Sequence, residues 1–182
     1  IAAYKACEVL RGLQKAGCDV RVIMSADAEK FVGTTTFEAL SKHPVADDLY
    51  GFAESPIPHI FLADWADLVL IAPATANVMA KMAAGIADDC LSTTLLAAHT
   101  PVLMAAAMNV HMWTNPATQS NVATLRSRGV DFVMPETGLL ACGDIGEGKL
   151  ADVAVIVDAA LDVLDGRERD LAGRSVVVTA GP

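Results

Sequence analysis

Residues Ala105–Pro116 read AAAMNVHMWTNP, directly after the apolar run Pro101-Val-Leu-Met104. The run has the marks of a buried strand, and Asn115-Pro116 supplies the cap and first-turn identities of a helix start. Strand, turn and helix in that order form the repeating unit of an open α/β sheet, where ligands settle at the strand ends. This turn is chemically unusual for a connection. Three alanines let a flat ring approach the backbone, Asn109 is the one amide among them, and Met108, Met112 and Trp113 follow. Small, apolar and singly polar suits the wall of a planar cofactor site. The alternative is that Met108, Met112 and Trp113 fill the core, which leaves Asn109 unexplained.

The same alternation extends outward in both directions. Asp19–Met24 (DVRVIM), Asp67–Ala72 (DLVLIA), Val102–Ala106 and Val130–Met134 read as strands. Helical patterns at Ala2–Ala16, Thr34–Leu40, Val78–Ala84, Asp88–Ala98, Pro116–Arg128 and Asp152–Leu164 separate them, with shorter helices expected at Asp27–Val32 and Phe61–Ala66. The economical topology is an α/β fold with a doubly wound parallel sheet, Rossmann-like or flavodoxin-like. Because Ile1-Ala-Ala-Tyr-Lys5 already reads as helix, the first strand and its turn are expected ahead of Ile1. At the other end, the charged linker Asp165–Gly173 precedes a fresh strand, Arg174–Ala180, which resembles the opening of another nucleotide-binding domain. The expected division is 1–165 for the main domain and 166–182 for the linker and first strand of the next.

Composition narrows the function. A net charge of −9 over 182 residues argues against binding the phosphate backbone of nucleic acid, which needs a basic surface. No charge-free apolar run reaches the length of about 18 residues that a membrane helix requires. A mean hydropathy of +0.42 with 5% aromatics means a core of Ala, Val, Leu, Ile and Met, part of whose excess suits a subunit interface. Cys7, Cys18, Cys90 and Cys142 form no C-x-x-C pair, so a reduced, intracellular chain without a zinc site is expected.

Several polar groups stand where chemistry would need them. Ser25 follows a strand and meets either a phosphate or the next helix as its cap. His59 opens a short helix as a candidate base, although a lone histidine is more often a structural donor. Pro73-Ala-Thr-Ala-Asn77 is a second small-residue turn, bearing Thr75 and Asn77. Asp88-Asp89 leads a helix that carries Ser92 and Thr93, where the aspartates also suit the helix dipole and the hydroxyls also suit back-bonding to the preceding turn. Pro135–Leu150 reads as a glycine-rich loop around Cys142, either a mobile lid with a reactive thiol or a turn with an inert one. Its spacing, Gly143-x-x-Gly146-x-Gly148, is not the dinucleotide fingerprint.

Taken together, Pro73-Ala-Thr-Ala-Asn77, Met108-Asn-Val-His-Met-Trp113 and Ala141-Cys-Gly-Asp-Ile-Gly-Glu-Gly148 resemble the homo-oligomeric flavin-containing cysteine decarboxylases, above all the branch acting on phosphopantothenoylcysteine. His59 matches that family's histidine. The tail Gly173–Pro182 resembles the start of phosphopantothenate–cysteine ligase, which in bacteria is fused behind the decarboxylase. One departure is Ala106, which stands where the family has a proline.

The resemblance implies an FMN-dependent, cytoplasmic carboxy-lyase of coenzyme A biosynthesis, assembled as trimers and dodecamers with FMN between subunits. It assigns His59 as the initial base, Asn109 as the holder of the substrate carboxylate and Cys142 as the proton donor. It places Ser25, Thr75, Asn77, Ser92, Thr93 and Ala107 against FMN, and Met112 and Lys149 with Asn109 against substrate. The family also contains peptidyl-cysteine decarboxylases and non-catalytic regulatory subunits, and the joint presence of His59, Asn109 and Cys142 argues against the latter.

Overall fold

The computed structural model describes residues 1–140, 143–166 and 175–180. Its centre is a five-stranded sheet of β1 (Asp19–Met24), β2 (Leu68–Ala74), β3 (Val102–Ala106), β4 (Asp131–Val133) and β7 (Ser175–Ala180), in the order β1-β7-β2-β3-β4. Every pairing in it is parallel. The doubly wound expectation follows from the burial pattern: β2 and β3 are buried along their whole length, which requires cover on both faces.

The two faces can be read from strand periodicity. Val176 and Val178 of β7 point into one core with Leu10, Leu13, Leu68, Leu70 and Ile156, while Val177 points into the other with Leu62, Val69, Ile71 and Met104. On the first face lie α1 (Ala6–Lys15), preceded by a 3-10 turn at Ala2–Lys5, α2 (Thr34–Ser41) and α8 (Val153–Asp165). On the second lie α3 (Pro58–Trp65), α4 (Ala76–Ala84), α5 (Cys90–Ala97) and α7 (Pro116–Ser127). Each fully buried Leu, Ile or Val contributes about 1.5–3 kcal/mol relative to exposure. α1 and α8 approach so closely that a Cβ on Gly12 would stand 2.7 Å from Val157 Cγ2.

Asn115 caps α7 through its side chain, accepting from the N–H of Ala117 at 2.9 Å, and Pro116 takes the first turn. Four local expectations are revised. β2 does not stop before Pro73; it continues to Ala74, and the missing proline N–H is accommodated by a register shift between Ile71 and Ala74. Within the opening stretch, Val110–Trp113 forms one helical turn, α6. Asp27–Val32 supplies only a 3-10 turn, Ala28–Lys30. The supposed loop Pro135–Leu150 contains an antiparallel hairpin, β5 (Glu136–Leu139) with β6 (Ile145–Lys149).

Residues 175–180, read from sequence as the first strand of a second domain, here lie between β1 and β2 in the main sheet. Beside the outer edge of β1, Ala46 makes a single parallel bridge to Ile23, its N–H and C=O bonded to Val22 and Met24. Among the described residues no helix is long and apolar enough to cross a membrane.

Candidate active site

With all five strands parallel, their C-terminal ends share one edge, and the turns after β2 and β3 meet there. Ala107 N–H donates to Ala74 C=O at 3.0 Å, which ties the two small-residue stretches together. They open onto a cavity of about 760 Å3, within the span of about 300–1,000 Å3 usual for cofactor and substrate sites. Six of the residues assigned from sequence to cofactor or substrate line it: Thr75, Asn77, Ala107, Asn109, Met112 and Lys149.

Thr75 stands at the cap position of α4 without making a side-chain cap bond, and its Oγ1 is buried without a partner. A buried hydroxyl left without a hydrogen bond is costly, so this atom is a natural contact for a polar ligand group. Asn109 caps α6: its Oδ1 accepts the His111 N–H at 2.8 Å, which turns Nδ2 outward as a donor. Nδ2 donates to Oδ2 of Asp144 at 3.1 Å. The two readings of the methionine and tryptophan cluster divide between its members. Trp113 is 3% exposed and belongs to the core, Met112 faces the cavity, and Met108 does both, lining the cavity while packing against the second core.

The hairpin forms the opposite wall through close backbone approach. Met108 N–H donates to Gly148 C=O at 2.9 Å, and a Cβ on Gly148 would stand 2.2 Å from the Met108 carbonyl oxygen. Gly146 leaves room for Val110, whose Cγ2 lies 2.8 Å from where a Cβ would be. These two glycines therefore serve contact. At the hairpin root, Glu136 accepts from the Asp152 N–H at 3.0 Å and from Lys149 Nζ at 3.2 Å. The Asp152 N–H and then the Lys149 ammonium hold the Glu136 carboxyl below the usual carboxylate range.

Four assignments fall elsewhere. Ser25 does not line the cavity: its Oγ accepts the Ala28 N–H and donates to the Ala180 carbonyl, so the capping alternative describes it here. Ser92 is the third residue of α5 and closes a capping box with Asp89, donating its N–H to Asp89 Oδ1 at 2.7 Å and accepting the Asp89 N–H at 3.1 Å. Thr93, also on α5, has a buried Oγ1 without a partner. His59 lies in the first turn of α3, which packs against α5, and its Nδ1 is likewise buried and unpartnered. Neither Thr93 nor His59 lines the cavity. Cys142 lies outside the described residues.

The position of α3 has its own anchor. The Arg21 guanidinium carbon sits 5.1 Å from the Phe61 ring centroid and 4.8 Å from that of Trp65, and the group pairs with Glu54. Burial pushes the Arg21 pKa down. Around α3 and α5, Ile57, Ile60 and Leu96 are 51%, 44% and 64% exposed.

Sequence missed the near wall of the cavity, formed by Ile1, Tyr4 and Lys5, with Asp27 beside it and Leu139 and Leu140 opposite. Lys5 adds a second cation to Lys149. Nothing local in Ile1–Lys5 marks it as a cavity wall, because only the tertiary fold brings it there. Among the described residues no cluster of His, Cys, Asp and Glu could hold a metal ion.

A family model described as Flavoprotein matches residues 1–165. The chain belongs to the flavoprotein family. Within that family it is similar to the coenzyme A biosynthesis bifunctional protein CoaBC of Bacillus subtilis, with 49% identity over 184 residues. It is 51% identical over 185 residues to the protein of the same name from Mycobacterium tuberculosis. The matches cover 100% of this chain but 45% and 44% of those proteins, so the chain spans less than half of their length. Among solved flavoproteins, the FMN-dependent cysteine decarboxylase SpaF superposes with a TM-score of 0.78 at 35% identity, covering 90% of this chain and 91% of that one. A cysteine-to-serine variant of PPC decarboxylase complexed with pantothenoylaminoethenethiol gives 0.80 at 27% identity, with 90% and 92% covered.

Proposed function

We propose that this chain binds FMN at the ends of β2 and β3 and decarboxylates 4'-phospho-N-pantothenoylcysteine to 4'-phosphopantetheine. The observation that carries the reading is the convergence of Thr75, Asn77, Ala107 and Asn109 on one cavity at the strand ends. The CoaBC relatives and the PPC decarboxylase neighbour name the substrate class. The donor set fits the cofactor: alanines leave a flat approach, and the orphaned Thr75 Oγ1 and the Asn77 amide offer hydrogen bonds.

Held by Thr75, Asn77 and Ala107, FMN would supply a reversible two-electron acceptor for the sulfur-bearing carbon, and a C=S group there would let the charge left by CO2 delocalise. Asn109 holds the substrate carboxylate through Nδ2. A neutral donor suits this task, since a cation would stabilise the group that must leave. Lys149 and Lys5 supply positive charge at the cavity for the substrate phosphate. Cys142 donates a proton to the decarboxylated product precursor, and a free thiol is mostly protonated near neutrality.

His59 is the base for the first step, yet it stands on α3, away from the cavity-lining residues of its own chain. The exposed Ile57, Ile60 and Leu96 around it support assembly of identical copies that sets α3 of one subunit against the cavity of another, in trimers and higher assemblies.

The test is CO2 release from phosphopantothenoylcysteine by the FMN-loaded protein, with a peptide ending in cysteine as the rival substrate. Turnover of the phosphorylated acid is expected, with His59→Asn retaining bound flavin and losing CO2 release. A protein that takes up no FMN, or that releases CO2 from the peptide alone, overturns the reading.

A further inference from the structure

The donor face of Asn109 already holds a carboxylate, and it is the protein's own. With Oδ1 fixed by the His111 N–H, Nδ2 is the only donor side of the amide, and Asp144 Oδ2 lies 3.1 Å from it. Asp144 reaches Asn109 from 35 positions further along the chain, just ahead of β6. Asn109 lines the cavity and Asp144 does not.

We propose that Asp144 is a positioning residue acting through Asn109: its carboxylate occupies the amide when no acid is bound, yields it to the substrate carboxylate, and reclaims it as that group departs as CO2. The inference rests on Asn109 being the residue that holds the substrate carboxylate.

Three features of the fold support the exchange. The hairpin is secured at its root by the Met108–Gly148 hydrogen bond and by the two bonds to Glu136, so release of Asp144 does not unseat β6. The bond given up and the bond gained are of one chemical type, amide N–H to carboxylate, so the swap is close to balanced. Two carboxylates crowding one amide repel each other, so the substrate displaces Asp144 rather than sharing the donor with it.

The consequence is kinetic. Because the substrate carboxylate replaces an existing partner, it binds with little net gain in the ground state. As CO2 leaves, the returning Asp144 restores the amide–carboxylate bond of the free protein. Both effects favour the transition state over the bound acid. Without Asp144 the acid no longer competes with that carboxylate for the amide, which tightens the ground state and raises the barrier from it.

The experiment compares the FMN-loaded parent with Asp144→Ala and Asp144→Asn, reading KM and kcat for CO2 release from phosphopantothenoylcysteine. Calorimetric Kd values for that acid, in a His59→Asn background that prevents turnover, and for 4'-phosphopantetheine complete the set. Asp144→Ala should lower KM and kcat together by about threefold to tenfold, the range of one typical net hydrogen bond, since exposure to solvent weakens the charge assistance. kcat/KM should stay within about twofold, the Kd of the acid should tighten, and the Kd of the decarboxylated product should move less than about twofold. Asp144→Asn should fall between parent and Asp144→Ala.

A brace for the hairpin would raise KM while kcat falls, and that pattern, or an unmoved KM with Asn109→Ala binding the acid poorly, overturns the exchange alone. Asn109→Ala binding the acid as well as the parent overturns the reading of Asn109 itself, and the exchange with it.

Discussion

At the ends of β2 and β3, Thr75, Asn77, Ala107 and Asn109 face a common cavity, while on the second face of the sheet α3 and α5 carry His59 and Thr93 out of its lining. The first group sits where parallel strands end, and the fold of one chain brings its members together. The second group has buried polar atoms without partners, bordered by exposed isoleucine and leucine. A cavity that gathers these residues but not its proposed base, together with a base whose buried nitrogen has no partner, supports the assembly of copies proposed above.

The sharpest way to break this contrast is Leu96→Asp. In the proposed assembly of copies this carboxylate would enter an apolar contact, so the variant should have the native mass of one chain and release CO2 at least about 100-fold more slowly, since an unpaired charge is strongly disfavoured at such a surface. Sedimentation velocity and the CO2 assay check it. Mixing His59→Asn subunits with Asn109→Ala subunits sharpens the same point: activity should return in the mixture and be absent from either variant alone. No recovery would place both residues at a site within one chain.

A smaller effect is expected from Gly148→Ala, which disturbs only the cavity side. The added methyl meets the Met108 carbonyl at 2.2 Å, and overpacking of this kind costs about 1–3 kcal/mol. The hairpin should lift from the Met108–Val110 stretch. Hydrogen exchange should show lost protection at the Met108 N–H, with the amides of α5 unchanged.

The smallest effect belongs to the other side. Asp89→Ala removes the α5 cap, at a cost of about 1 kcal/mol read from denaturant midpoints. Burial works to raise the Asp89 carboxyl, but the Lys81 bond and the Ser92 N–H outweigh it and leave it below the usual range. The stabilisation is therefore present above the unfolded-state pKa and disappears as pH falls through the lower folded value. The variant's deficit should shrink as the medium is acidified.

The sheet was legible where side-chain patterns are local. DVRVIM and Val102–Ala106 are strands with the bounds expected, and Asn115-Pro116 starts a helix as cap and first turn should. The hairpin was not legible, because β5 and β6 lack a buried alternation. Their place is set by Gly146 and Gly148 lying against Val110 and Met108, a tertiary contact that composition alone reads as a loop. For the same reason the cavity-side residues Thr75, Asn77 and Ala107 could be picked out as strand-end chemistry, whereas Tyr4, Lys5 and Asp144 could not. Ser25 and Ser92 show a further limit: a hydroxyl near a helix start serves as cap or as ligand contact, and here hydrogen-bond geometry favours capping.

The bridge from Ile23 to Ala46 bears on how copies of the chain can join. It occupies part of the open rim of β1, and β4 at the other rim is only three residues long, so neither margin offers a long template for another backbone. In the proposed assembly, copies would therefore meet through side chains on helical surfaces. Contacts of that kind, repeated by rotation, can close into a finite ring and stop growing, whereas strand-to-strand joining would continue as a fibre.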